Sequence, residues 1–212
     1  MDSPQPDPAR PRHRLSSDQR QREIVAAVLA LARERGPEAI TAQAIADRMG
    51  VTQGALFRHF PDKATIWLAV FAWVRQALEA ALATAVAKAA SPLAQLEAVF
   101  LAHVAFIAEN PGVPRIMFHE LQYPGDSPAR AEVRSMVIAY RKRLTRLFTQ
   151  AKAAGELPPE LDAALAPVLF LGAIQGLVMQ SALVGDEAGM SRRARELLPL
   201  LLHGYHGRRS QP

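Results

Sequence analysis

The stretch ITAQAIADRMGVTQGALFRHFPDK, Ile40 to Lys63, decides how the rest of this chain is read. Thr41 stands where a side-chain oxygen caps a helix, because its hydroxyl can accept from a backbone N–H left unpaired in the first turn. Ile45, Ala46 and Met49 follow at helical spacing, which predicts a helix of about two turns with one apolar face. Gly50 comes where a left-handed residue is needed to end it. Thr52 then caps a second short helix with Ala55, Leu56 and Phe60 turned inward, and Pro61-Asp62 stops it. Two short helices joined by a tight glycine turn make a helix-turn-helix. Ala46 is small where the two helices cross.

Gly54 is the odd residue in this pattern, since glycine costs about 1 kcal/mol against alanine inside a helix. On the first turn of the second helix, Gly54 and Ala55 would let the backbone approach a phosphate or a base edge. That is the end of a recognition helix entering the major groove.

Working outward, Ser16 with Gln19 three residues on forms a capping-box pattern, and Leu15 can staple against the first turn. Ile24, Val25, Val28, Leu29, Leu31 and Ala32 continue at helical spacing until Gly36-Pro37. Residues 1–15 hold four prolines beside Arg10, Arg12, His13 and Arg14, which predicts a disordered basic arm. Such an arm is either an inert tail or an electrostatic reach toward DNA.

Beyond the motif, helices are expected at about 62–90, 92–109, 114–121, 127–154, 159–184 and 191–206, bounded by Pro, Gly and Ser-Pro signals. Pro199 should kink the last one. No alternating strand pattern competes, so the fold class is all-α.

The 212 residues carry a formal charge of +5, mostly through arginine, which suits an anionic partner such as nucleic acid. No cysteine is present, so disulfides and cysteine-ligated metal centres are excluded, in keeping with a cytoplasmic setting. The uncharged run from Ala163 to Gly185 has the length of a membrane span. Pro167, Gln175, Gln180 and Ser181 interrupt it, which favours a buried interface helix and no membrane partner. His119-Glu120 lacks a second histidine at ligand spacing, and neither a phosphate-binding glycine loop nor G-x-S-x-G occurs. Catalytic residues, a metal and a cofactor are therefore not expected.

ITAQAIADRMGVTQGALFRHFPDKATIW, residues 40–67, resembles the DNA-binding signature of the tetracycline-repressor (TetR) family of bacterial transcription regulators. The resemblance implies a DNA-binding role for Thr41, Thr52, Gln53, Gly54, Ala55, Phe57, Arg58, His59 and Lys63. Thr41 would cap the supporting helix and meet a phosphate, while Gln53 could pair bidentately with adenine. Phe57 replaces the family's usual tyrosine, so its hydroxyl contact is missing and only ring packing on the sugar-phosphate backbone remains. Arg58 would read a base or clamp a phosphate, with a solvated side chain as the bland alternative. His59 resembles the family's phosphate-binding histidine, and Lys63 would lie near the backbone.

One helix-turn-helix covers few base pairs, so such proteins pair to read two half-sites about 34–36 Å apart. The family usually pairs through its last two helices. Here Phe170, Gly172, Gly176 and Met179, with Leu197 and Leu201 of the last helix, are the expected dimer residues. An internal core is the alternative.

Family members commonly hold an effector pocket between their middle helices. Phe71, Phe100, His103, Met117, Tyr140 and Gln175 are the candidates for such a pocket, with plain core packing as the alternative for each. The run YRKRLTR, Tyr140 to Arg146, reads as a solvated face rather than an anion site.

The expectation is thus a basic arm (1–15), a helix-turn-helix domain (16–62) and a helical effector-binding and dimerisation domain (63–212). Such a chain would be a ligand-responsive repressor, a homodimer on double-stranded DNA at a palindromic operator, released by a small hydrophobic or amphipathic effector. Rivals are a DNA-binding protein of the same fold without an effector, or a helical enzyme or membrane-associated protein that mimics the motif.

Overall fold

A computed structural model describes residues 17–122 and 125–206. The expected arm, the Ser16 cap, the Leu15 staple and Tyr123 lie outside the described residues. Among these residues there are nine α-helices and no strand.

Helix α1 (Ser17–Glu34) is followed by a 3-10 turn (Pro37–Ala39), α2 (Ala42–Met49) and α3 (Gln53–Phe57). Ile24, Val28, Leu31, Ile45, Leu56 and Phe60 close the core of this small bundle, each 2% exposed or less. Helix α4 (Lys63–Val86) starts in the bundle and runs on into the larger body. Asp62 caps it, accepting from the backbone N–H of Thr65 at 2.7 Å and from the Thr65 hydroxyl at 2.8 Å. Those two donors hold the Asp62 carboxyl below its ordinary value.

The larger body adds α5 (Pro92–Glu109), α6 (Gly112–Gln122), α7 (Pro128–Ala153), α8 (Ala166–Val184) and α9 (Met190–His206). Ser91 and Ser127 cap α5 and α7 through their hydroxyls. Helix α5 is the central member, packed against α4, α7, α8 and α9. Helix α9 continues through Pro199.

The start of α8 differs from the sequence expectation. Pro158-Pro159 sits in a turn, and Asp162 accepts from the backbone N–H groups of Ala164 and Leu165. The helix begins only at Ala166, with Pro167 in its first turn. Both proline sites satisfy the first-turn preference, and the Asp162 turn decides between them.

By length and composition, α4, α5 and α8 could each cross a membrane. In the fold they pack with α7 and α9 in one bundle.

Four aromatic or aliphatic candidates prove to be core. Phe170 meets Phe100 edge-to-face at 5.3 Å and Phe148 at 6.1 Å, and Phe148 in turn meets Tyr205 at 5.0 Å. Phe170 therefore joins four helices inside one chain and is not free for a dimer contact, and Phe100 does not line a cavity. Leu201 is likewise buried within the chain, and Phe71 is sealed beneath Trp67. Periodicity showed that these residues face inward without showing which neighbour they face.

Candidate nucleic-acid interface and ligand cavity

The local chemistry of the motif fixes one exposed surface. The Thr41 hydroxyl accepts from the backbone N–H of Ala44 at 3.1 Å, and that of Thr52 accepts from Ala55 at 3.2 Å. Gly50 adopts φ +64°, and its N–H returns to the carbonyls of Ala46 and Asp47, so the chain turns sharply from α2 into α3. Leu56 and Phe60 anchor α3 in the core, each 1% exposed. With that face fixed, Thr52, Gln53, Gly54, Phe57, Arg58 and His59 all face water, Thr41 and Lys63 are exposed too, and Ala55 is half-buried.

Gly54 has open space where a Cβ would stand. Nothing inside the fold demands glycine there. Phe57 is 38% exposed, a large ring left in water beside Arg58 rather than in the core. Arg48, on α2, is tied back to Glu34 of α1 by a 2.5 Å ion pair that lowers the Glu34 carboxyl.

A cavity of about 400 Å³ opens in the larger body between α4, α5, α6, α7 and α8. His103, Met117, Tyr140 and Gln175 line it; Phe71 and Phe100 do not. Sequence reasoning missed the aliphatic part of its wall, including Leu78, Leu82, Ile174 and Val178. It also missed Arg143: within the basic run, Arg141, Lys142 and Arg146 are exposed, but Tyr140 and Arg143 turn to the cavity. Their spacing of one helical turn was the available signal.

His103 Nδ1 lies 3.1 Å from the Tyr140 hydroxyl. Burial pulls the imidazole down to about 4, so it is neutral at pH 7, and pushes the phenol up, so it keeps its proton. Gln175 is exposed at the cavity edge and poses no buried-polar problem.

Helix α6 connects the two regions. A Cβ on Gly112 would stand 2.4 Å from the Leu29 carbonyl oxygen and 3.1 Å from Ala32 Cβ, so α6 meets α1 backbone to backbone. One turn on, Arg115 donates to the Arg33 carbonyl at 2.7 Å, at the end of α1, and reaches Glu187 at 3.3 Å. The opposite face of α6 presents Val113, Pro114, Met117 and Phe118 to the cavity.

The outer face of α8 is apolar and uncovered: Leu165, Val168, Leu169, Met179, Leu183 and Val184 are exposed, with Gly172 and Gly176 in open space between them. Leu200 of α9 is exposed as well, and Leu197 is half-buried.

Residues 24–70 match the family of bacterial regulatory proteins of the tetR type, and residues 89–179 match the tetracyclin repressor-like C-terminal domain. Among curated relatives, the nucleoid occlusion factor SlmA of Haemophilus ducreyi is 29% identical over 103 residues, 48% of this chain and 51% of that one. The chain thus spans about half the length of that relative. Among solved structures, the ketosteroid transcriptional regulator KstR2 of Mycobacterium tuberculosis superposes with a TM-score of 0.74 at 23% identity, over 87% of this chain and 94% of that one. The transcriptional regulator FadR from Bacillus subtilis, solved with stearoyl-CoA, gives 0.75 at 22% identity over 87% and 99%. At such identities these superpositions establish the fold.

Proposed function

The chain belongs to the TetR family of bacterial regulatory proteins, and from that premise we propose that it is a sequence-specific, DNA-binding transcriptional regulator. It acts in the cytoplasm as a homodimer on a palindromic operator, most simply as a repressor released by a small effector. Residues 16–62 read DNA, and 63–212 pair and sense the ligand.

The observation that carries this reading is the outward face of α3. Gln53, Gly54, Phe57, Arg58 and His59 share one exposed surface while Leu56 and Phe60 hold the helix rigidly behind it. Gln53 offers a bidentate amide to a base, and Arg58 and His59 offer donors to phosphate or guanine. The apolar α8 face is the natural seam for a second copy, because two recognition helices are needed to span two half-sites.

The open cavity favours the ligand-responsive form over the same fold without an effector. The similar FadR fold, solved with stearoyl-CoA, adds support for a small-molecule ligand.

A gel shift with the intergenic DNA upstream of the protein's own gene, against scrambled DNA and at two salt concentrations, tests the proposal. Specific binding that weakens with salt is expected, since each phosphate contact releases counterions. Arg58→Ala should cost specific binding roughly tenfold, the scale of a lost base contact, and non-specific binding less. Equal affinity for both DNAs would overturn sequence-specific regulation.

A further inference from the structure

The cavity is chemically lopsided. Leu78 and Leu82 of α4, Phe106 and Ile107 of α5 and Ile174 and Val178 of α8 give it hydrocarbon walls. Its charged groups are Arg75, Glu79 and Arg143. Arg75 already has a partner, with Nε 3.3 Å from Glu132 Oε1. Glu79 is exposed, so water screens it. Arg143 is half-buried and makes no hydrogen bond or ion pair among the described residues. A guanidinium cannot shed its charge, so it stands beside an apolar wall with its donors unsatisfied by protein.

Tyr140 precedes Arg143 by one turn on the same face of α7. Its hydroxyl is anchored on His103 Nδ1. With the imidazole proton on Nδ1, His103 donates to the phenol oxygen and leaves the phenol O–H free to donate in turn. Because burial keeps the imidazole neutral, it adds no further cation beside Arg143 and the paired Arg75.

From this arrangement we infer that the cavity takes an amphipathic monoanion. Its carboxylate or similar head lies on the Arg143 guanidinium and accepts from Tyr140 O–H, and its apolar body lies among Leu78, Leu82, Phe106 and Ile174. The inference rests on reading the cavity as the effector site, and it names the effector's chemistry. The volume, near the lower end of the roughly 300–1,000 Å³ of ligand pockets, suits a body of medium length. A charge-assisted pair in a partly desolvated site favours the anion over a neutral ligand with the same tail, and a cationic head meets repulsion.

Titration calorimetry of the full chain at pH 7.5 with three probes below their micelle concentrations tests this: sodium decanoate, decan-1-ol and decyltrimethylammonium. Decanoate should bind about tenfold or more tightly than decanol, and the ammonium most weakly. In Arg143→Gln the decanoate advantage should vanish while decanol binding stays, which also shows that the variant is folded; Arg143→Lys should restore part of it. Equal binding of decanoate and decanol, no binding of any probe, or a preference that survives Arg143→Gln would each overturn the inference. None of these outcomes touches the DNA-binding reading, because the gel shift of ligand-free protein decides that separately.

Discussion

His103→Gln should flatten the acid side of the stability profile. The half-buried imidazole titrates at about 4 in the fold against about 6.5 in the unfolded chain. The folded value is the depressed one, so below pH 6.5 the unfolded state binds more protons than the native state. Stability is then full above about 6.5 and is lost as pH falls toward 4. Linkage with those two values gives a loss of up to about 2 kcal/mol between pH 7.5 and 5.0. The carboxyls held low by hydrogen bonds, Asp62 and Asp186 from an ordinary value of 3.8 and Glu34 from 4.5, act mainly below this window and equally in both proteins. Glutamine keeps an amide near Tyr140 but cannot titrate. Urea unfolding midpoints at pH 7.5, 6.0 and 5.0, at fixed ionic strength and protein concentration, should show wild type losing roughly 2 kcal/mol more than the variant. Parallel profiles would refute the reasoning, and a wild type that gains stability on acidification would reverse its sign.

Gly112→Ala should cost about 1–3 kcal/mol, the scale of an overpacked contact, because the new Cβ meets the Leu29 carbonyl at 2.4 Å and backbone cannot swing aside. The urea midpoint should fall and operator affinity should change with it; a variant with both unchanged would mean α6 sits loosely on α1. Leu183→Glu places a charge on a residue 72% exposed near the C-terminal end of the uncovered α8 face. Sedimentation should shift from dimer to monomer, and an unchanged dimer would remove that face from the seam.

What the sequence disclosed and what it hid divide along a physical line. Thr41, Thr52, Ser127 and Gly50 were legible because a cap or a left-handed turn is decided within four residues. The surface of α3 follows from the same local logic, since fixing Leu56 and Phe60 inward leaves few orientations for Gln53 and Arg58. Phe100, Phe170 and Leu201 were misread because their partners come from helices up to a hundred residues away, and a single sequence carries no record of that pairing. Arg143 was hidden for the opposite reason. Its neighbours Arg141, Lys142 and Arg146 are solvated, and composition averages a face that the helical turn divides.

The position of α6 limits how a ligand could reach DNA at all. One face of this eleven-residue helix is cavity wall, and the other is pressed against the backbone of α1 at Gly112. Close-packed interiors do not absorb displacement by compression, so a body wedged against Met117 and Phe118 must either be accommodated by side-chain rotation or be passed on to α1. Rotation is available to Met117, whose chain is flexible, and much less to Pro114, whose ring is fixed. Arg115 holds the end of α1 through the Arg33 carbonyl while also contacting Glu187 in the link between α8 and α9, beside the proposed dimer seam. A shift of α6 would therefore pull on the end of α1 and on the α8–α9 link through the same side chain. Coupling of this kind requires that the ligand bind the two positions of α6 unequally; a tight ligand indifferent to them would leave operator affinity where it was.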